Sequence, residues 1–263
     1  MRESKLSRIL GRHLPTTPQH DDLYIVEFPK SGITWVSTIL AHLCKASNSS
    51  ASKQTPNIKF YLNDVVPDIH MSRNIGSFDR DCWPHCRLIK SHAYGNRQYL
   101  KVVYIVRHPI AVMGSYYDYC RGLGQFSGSF SAFIRHPHLG IRAWDRHVKS
   151  WAGETSDAQR ILLLKYENLR ENAELEISRV LEAMGLPVES NALAAAVSQA
   201  NFSRMRAVEH ELATISMHKL FRRFEKFVFV NKGRSSDDVS LSDTDHSYIQ
   251  TIAGDTMAQL GYG

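Results

Sequence analysis

Short apolar runs alternate along this chain with longer stretches of helical period. Leu23-Tyr24-Ile25-Val26-Glu27-Phe28 predicts a buried strand, and residues 36–45 place Val36, Ile39, Leu40 and Leu43 on one helical face. Further strands are expected at Arg87-Leu88-Ile89, at residues 101–106 and at residues 160–166, all short apolar runs of the kind buried in parallel sheets. Helical patterns cover residues 109–121, opened by Pro109, then 140–151 and 172–184. The last of these stops at Gly185 with Pro187 just beyond. A final helix over 244–260 stops at Gly261. Strands alternating with helices predict an α/β fold built on a parallel doubly wound sheet. Residues 47–55 are polar and read as a surface loop, and residues 60–86 show no period. An irregular stretch that long inside a compact fold tends to be functional. Residues 233–245 are rich in Ser and Asp and read as a loop, and no internal repeat is visible.

A chain of 263 residues with 43% hydrophobic content has ample core for one α/β domain or two small ones. The apolar runs fall far short of membrane-spanning length, and the basic first twelve residues lack the apolar stretch of a signal peptide. Four cysteines in this length do not make a disulfide framework, and Cys82 and Cys86 read as reduced loop residues rather than a zinc site. The formal charge of +6 and the pI near 9.1 favour anionic ligands such as nucleotides. No dense basic tract interleaved with aromatics points to nucleic acid, and the cluster Lys219, Arg222, Arg223, Lys226, Lys232 reads as a solvated helix face.

The first strand runs into Pro29-Lys30-Ser31-Gly32-Ile33-Thr34-Trp35 and then into a helix. Strand, glycine-containing loop and helix make a phosphate cradle: backbone N–H groups and the helix N-terminus attract an anion, and Lys30 adds a full charge. The lysine precedes the glycine, so the Gly-Lys-Ser/Thr order of nucleotide P-loops is not met. Ligands of open α/β sheets lie beyond the carboxyl ends of the strands. Three predicted strands end there in Lys30-Ser31, Lys90-Ser91-His92 and Arg107-His108-Pro109, with Ser115 in the helix that follows. Lys30, Lys90, His92, Arg107 and Ser115 are thus expected around one cleft. Several cations and one histidine suit group transfer from a polyanionic donor, the cations meeting developing charge and the histidine taking a proton. His92 or Arg107 alone would pass as an ordinary residue at a strand end; their joint placement carries the reading.

These segments resemble the sulfotransferases that use 3′-phosphoadenosine 5′-phosphosulfate, PAPS. Residues 24–35 are similar to the family's Y-P-K-S-G-T-T-W loop, and Leu88-Ile89-Lys90-Ser91-His92 to its K-[TS]-H segment. Arg107 and Ser115 keep the family's spacing for the donor 3′-phosphate. Phe229-Val230-Asn231-Lys232-Gly233 resembles the late R-K-G loop that closes over the donor. Leu164-Lys165-Tyr166-Glu167 and Phe202-Ser203-Arg204-Met205 resemble segments beside the adenine. Five positions depart from the pattern: Ile33 replaces a threonine, Ala200 a hydroxyl residue, Asn231 an arginine, and Ser236 and Asp238 the glycine and tryptophan of a G-D-W ending. The resemblance implies a single sulfotransferase domain over 1–263, with a P-loop-like central parallel sheet flanked by helices. Residues 1–20 would form an N-terminal extension and 233–245 a lid loop.

It also implies in-line transfer of a sulfuryl group from PAPS to an acceptor hydroxyl, leaving adenosine 3′,5′-bisphosphate (PAP). His92 would be the general base, Lys30 would meet charge on the leaving phosphate, and Lys90 would stabilise the sulfuryl oxygens. Ser31, Gly32, Ile33 and Thr34 would cradle the donor's phosphosulfate, and Arg107 with Ser115 its 3′-phosphate. Trp35, Tyr166 and Phe202 would hold the adenine, and Asn231, Lys232 and Gly233 the lid contact. No metal is expected, because lysines neutralise the charge that magnesium handles in kinases. In the lid, Lys232 and Arg234 are expected over the donor, with Asp237, Asp238, Asp243 and Asp245 facing solvent. A cytoplasmic location and a small-molecule or glycan acceptor are expected; the acceptor pocket would lie in residues 60–86 and 116–138. A metal-dependent P-loop kinase should carry a Gly-Lys-Ser/Thr loop and a magnesium-binding Asp after a strand. A non-catalytic nucleotide-binding module would not need both Lys90 and His92.

Overall fold

A computed structural model of the chain describes residues 19–47, 65–70, 86–152, 159–186, 188–207 and 235–262. Contacts within the chain group into two compact units, the first from residues 1–27, 31–106 and 153–201, the second from 28–30, 107–152 and 202–263.

The first unit holds a four-stranded, wholly parallel sheet. Strands β1 (Asp22–Glu27), β2 (Arg87–Ser91), β3 (Lys101–Val106) and β4 (Arg160–Lys165) lie in the order β2-β1-β3-β4. The central strands β1 and β3 are almost wholly buried, as their unbroken apolar runs require. The fourth strand differs from the expectation of burial. It is an edge of the described sheet, so only Leu164 is fully buried and Leu163 is 39% exposed. Helix α1 (Ile33–Ser47) packs Ile39, Leu40 and Leu43 against Leu23, Ile25 and Val103. The same apolar cluster takes Ile177 and Leu181 from α6 (Ala173–Ala183) and Leu193 from α7 (Ser190–Gln199). Helix α6 starts where Asn172 accepts the N–H of Leu175, and it ends before Gly185 at φ 75°. Cys44 is disulfide-bonded, which the sequence did not suggest, while Cys86 and Cys120 are free and Cys82 lies outside the described residues.

The start of the sheet is pinned by a buried ion pair. Arg87 donates Nε–H and Nη2–H to the two carboxylate oxygens of Asp22 at 2.7 and 2.8 Å. The Tyr24 hydroxyl and the Gln19 N–H donate to the same carboxylate. Tyr24 in turn stacks on Tyr99 at 3.6 Å between centroids.

The second unit is helical. It contains α2 (Pro109–Gly122), α3 (Phe130–Ile134), α4 (Ile141–Ala152) and α8 (Asp243–Gln259). The short α5 (Tyr166–Glu171) belongs to the first unit and follows β4 directly, so Tyr166 opens a helix instead of closing a strand. Within the predicted lid loop, Ser236–Asp238 forms one 3-10 turn capped by Ser235. Asp237, Asp238 and Asp243 are exposed as expected, but Asp245 is buried. Its carboxylate accepts from Ser131, Ser242 and Arg135, which fastens the start of α8 onto α3. These donors outweigh burial and hold the Asp245 carboxyl below the usual carboxylate range. No helix among the described residues is long and apolar enough to cross a membrane.

Breaking the Asp22–Arg87 pair leaves a charge buried without its partner. Asp22→Ala should therefore lose about 3–5 kcal/mol in urea unfolding. A loss below about 1 kcal/mol, the range of exposed pairs, would show that the pair does not hold the sheet.

Candidate functional site

The loop after β1 turns the chain from strand to helix within a few residues. Gly32 has φ 124°, a conformation open to glycine and strained for any other residue. A Cβ there would also come within 2.6 Å of the Tyr166 ring. The Glu27 carboxylate, buried at the end of β1, accepts the N–H of Ile33 at 2.8 Å and so ties the loop to its strand. Gly32 C=O accepts from Trp35 and Val36, which starts α1. Trp35 meets Tyr166 edge to face at 6.0 Å, so the two residues expected at adenine are neighbours. Ser31 Oγ and Trp35 Nε1 are buried, with no hydrogen-bond partner among the described residues. Buried donors without partners are costly. A phosphate and a purine satisfy such groups, so these residues fit the donor nucleotide.

The same unit carries Lys90 and His92. Lys90 is near the end of β2 and lies 3.9 Å from Asp68. His92 follows the strand. Its Nδ1 is 3.2 Å from the Glu27 carbonyl, and its backbone N–H donates to Nε2 of His70 at 2.6 Å. A carbonyl only accepts, so Nδ1 carries the proton and Nε2 keeps the lone pair. Burial holds the proton affinity of His92 well below the ordinary histidine value; Asp68 opposes this, while Lys90 and His70 reinforce it. Burial would raise the Asp68 carboxyl, but the Lys90 ammonium and the backbone N–H of His70 outweigh it and keep it low.

Lys30, Arg107 and Ser115 belong to the second unit. Lys30 takes φ 77°, unusual outside glycine and costing about 1–3 kcal/mol. Arg107, buried just past β3, donates Nη1–H to the Lys30 carbonyl at 3.0 Å and steadies that conformation. The Lys30 ammonium lies over the Tyr119 ring, 4.8 Å from its centroid. Ser115 lies on α2 and is partly buried, and His108 caps that helix by accepting from Ile110.

Phe202 is partly buried on a helical stretch over 202–207, and Ala200 is buried in the core of the first unit. Asn231, Lys232, Gly233 and Arg234 lie outside the described residues. Sequence reasoning missed Glu27, Asp68 and His70. Glu27 reads as one polar residue in an apolar strand. Asp68 and His70 sit in the stretch over 60–86, flagged only as irregular. No group of His, Cys, Asp and Glu able to hold a metal ion occurs among the described residues.

The sequence matches the Sulfotransferase domain family over residues 20–261, and the chain belongs to that family. It is 28% identical to sulfotransferase 1A1 of Rattus norvegicus over 204 residues, covering 71% of this chain and 67% of the relative. It is 27% identical to human sulfotransferase 2B1 over 200 residues, covering 71% of this chain and 52% of that protein. Mouse sulfotransferase SULT7A1, solved with PAP, shares the fold with a TM-score of 0.63 at 17% identity, over 95% of this chain and 89% of its own. Retinol dehydratase, solved with androsterone and the inactive cofactor PAP, gives a TM-score of 0.64 at 16% identity, over 96% of this chain and 85% of its own. The protein is accordingly an enzyme that transfers a sulfuryl group from PAPS.

Gly32 is the most direct test of the loop. Gly32→Ala should lower PAP affinity by tenfold or more, about 1.4 kcal/mol, because the new Cβ strains the backbone and displaces Tyr166. Unchanged affinity in a calorimetric titration would show that the turn is not part of the donor site.

Proposed function

We propose that the chain sulfates a hydroxyl of a small molecule by in-line displacement, with His92 as general base. The carrying observation is the state of the His92 ring: Nδ1 is engaged at the Glu27 carbonyl, and burial keeps the imidazole neutral, which puts the basic lone pair on Nε2. Lys30 meets the charge growing on the leaving phosphate, and Lys90 the sulfuryl oxygens. Ser31, Gly32, Ile33 and Thr34 line the phosphosulfate, and Ser115 and Arg107 hold the 3′-phosphate. Trp35, Tyr166 and Phe202 pack on the adenine, and the lid contact is assigned to Asn231, Lys232 and Gly233 on the family resemblance alone. The family match spans both compact units, which supports 1–263 as a single sulfotransferase domain with 1–20 as an extension. A small-molecule acceptor is supported by a neighbour of the same fold solved with androsterone. The cytoplasm is the compartment proposed, on the resemblance to cytosolic-type sulfotransferases.

Two variants test the assignments. His92→Ala should lower turnover by about a hundredfold or more, the usual scale for loss of a general base, with PAP affinity unchanged. Near wild-type turnover would remove His92 from the chemistry. Arg107→Ala should weaken 3′-phosphorylated nucleotides by about 1.5–3 kcal/mol. Adenosine 5′-phosphosulfate, which lacks that phosphate, should lose much less. Equal losses for both would leave Arg107 a structural role only.

A further inference from the structure

We propose that His70 is the positioning residue that fixes His92 for proton abstraction, acting through its Nε2 atom. The inference rests on His92 being the base. His70 is 4% exposed, and its Nε2 accepts the backbone N–H of His92 at 2.6 Å. The two rings also stack, 5.5 Å between centroids and 21° from parallel.

His70 can do this because its own segment is locked to the sheet edge. Lys90 donates its N–H to the Pro67 carbonyl at 2.8 Å, and Ile69 donates to the Lys90 carbonyl at 3.1 Å. The N–H of His70 donates to Oδ1 of Asp68 at 2.8 Å. Residues 67–70 thus run beside the end of β2, and the imidazole bonds the residue just past the strand. The other side of His92 faces the Glu27 carbonyl. One contact sets the backbone of His92 and the other its ring, so the direction of Nε2 is determined.

The same geometry excludes His70 as the base itself. An imidazole nitrogen accepts a hydrogen bond only through its lone pair, and that of Nε2 is directed at the His92 N–H. The proton of neutral His70 then sits on Nδ1. Asp68 and His92 face this ring, with Glu27 on the far side of His92.

The test compares His70→Leu and His70→Asn, which cannot reach the His92 N–H, with His70→Gln, whose side-chain oxygen can. The Leu and Asn variants should lose about ten- to a hundredfold in kcat, with donor KM changed by no more than about twofold, as expected for misplacement of a catalytic group. His70→Gln should recover most of the loss. Adding His70→Asn to His92→Ala should cost nothing further, since the first acts only through the second. Asn and Gln are both polar and smaller than histidine, so their comparison stands even where the Leu variant fails to fold. Equal losses in Asn and Gln, or losses that multiply in the double variant, would overturn the role of His70 and leave the base assignment intact. Full activity of His92→Ala would overturn both.

Discussion

The carboxylate of Glu27 holds the N–H of Ile33 at 2.8 Å, and the turn between β1 and α1 depends on that closure. It takes one of the N–H groups that every helix start leaves open and binds the helix to the strand before it. The turn can then be short, and short turns demand unusual backbone. Gly32 at φ 124° meets the demand without cost, whereas Lys30 at φ 77° meets it with strain that its carbonyl bond to Arg107 offsets. A buried acid beside an anion cradle looks contradictory. Its charge is absorbed locally by the helix start, where negative charge is favourable, and the cradle keeps Ser31 Oγ as a buried donor without a partner among the described residues.

Beside this turn in the first unit, the protonation of His92 is set by competition. Burial removes the charged form of His92, and the Asp68 carboxylate pulls the other way. Burial wins, so the histidine is neutral before any substrate arrives. Lys90 and His70 add to the same bias. Lys90 is only loosely paired, 3.9 Å from Asp68, and at one-fifth exposure its charge is little screened. A neutral histidine with a cation beside it is the arrangement that the proposed roles of His92 and Lys90 require.

Much of this was legible in the sequence, for physical reasons that differ by element. Residues 101–106 and the helix from Pro109 were readable because a central strand is apolar throughout and proline opens a helix. The loop from Lys30 to Trp35 was readable because few residue types tolerate its backbone. The apolar run over 160–166 misled, since apolarity does not reveal which strand is the edge, and Tyr166 turned out to open α5. Asp245 was read as solvated from its acidic neighbours, but Ser131 and Arg135 reach it from another segment and Ser242 from its own helix cap. Asp68 and His70 left no signal at all. Their roles come from a two-bond pairing with Lys90 that no period in residues 60–86 foreshadows.

The donor site proposed for this fold takes a 3′-phosphorylated adenine nucleotide without a metal. Calorimetric titration of the full chain in the presence of a chelator tests it directly, with PAP in one experiment and adenosine 5′-monophosphate in the other. PAP should bind saturably and one to one, and the monophosphate at least tenfold more weakly, about 1.4 kcal/mol for the lost 3′-phosphate contacts. Equal affinity for the two nucleotides, or binding of ATP only when magnesium is restored, would contradict it.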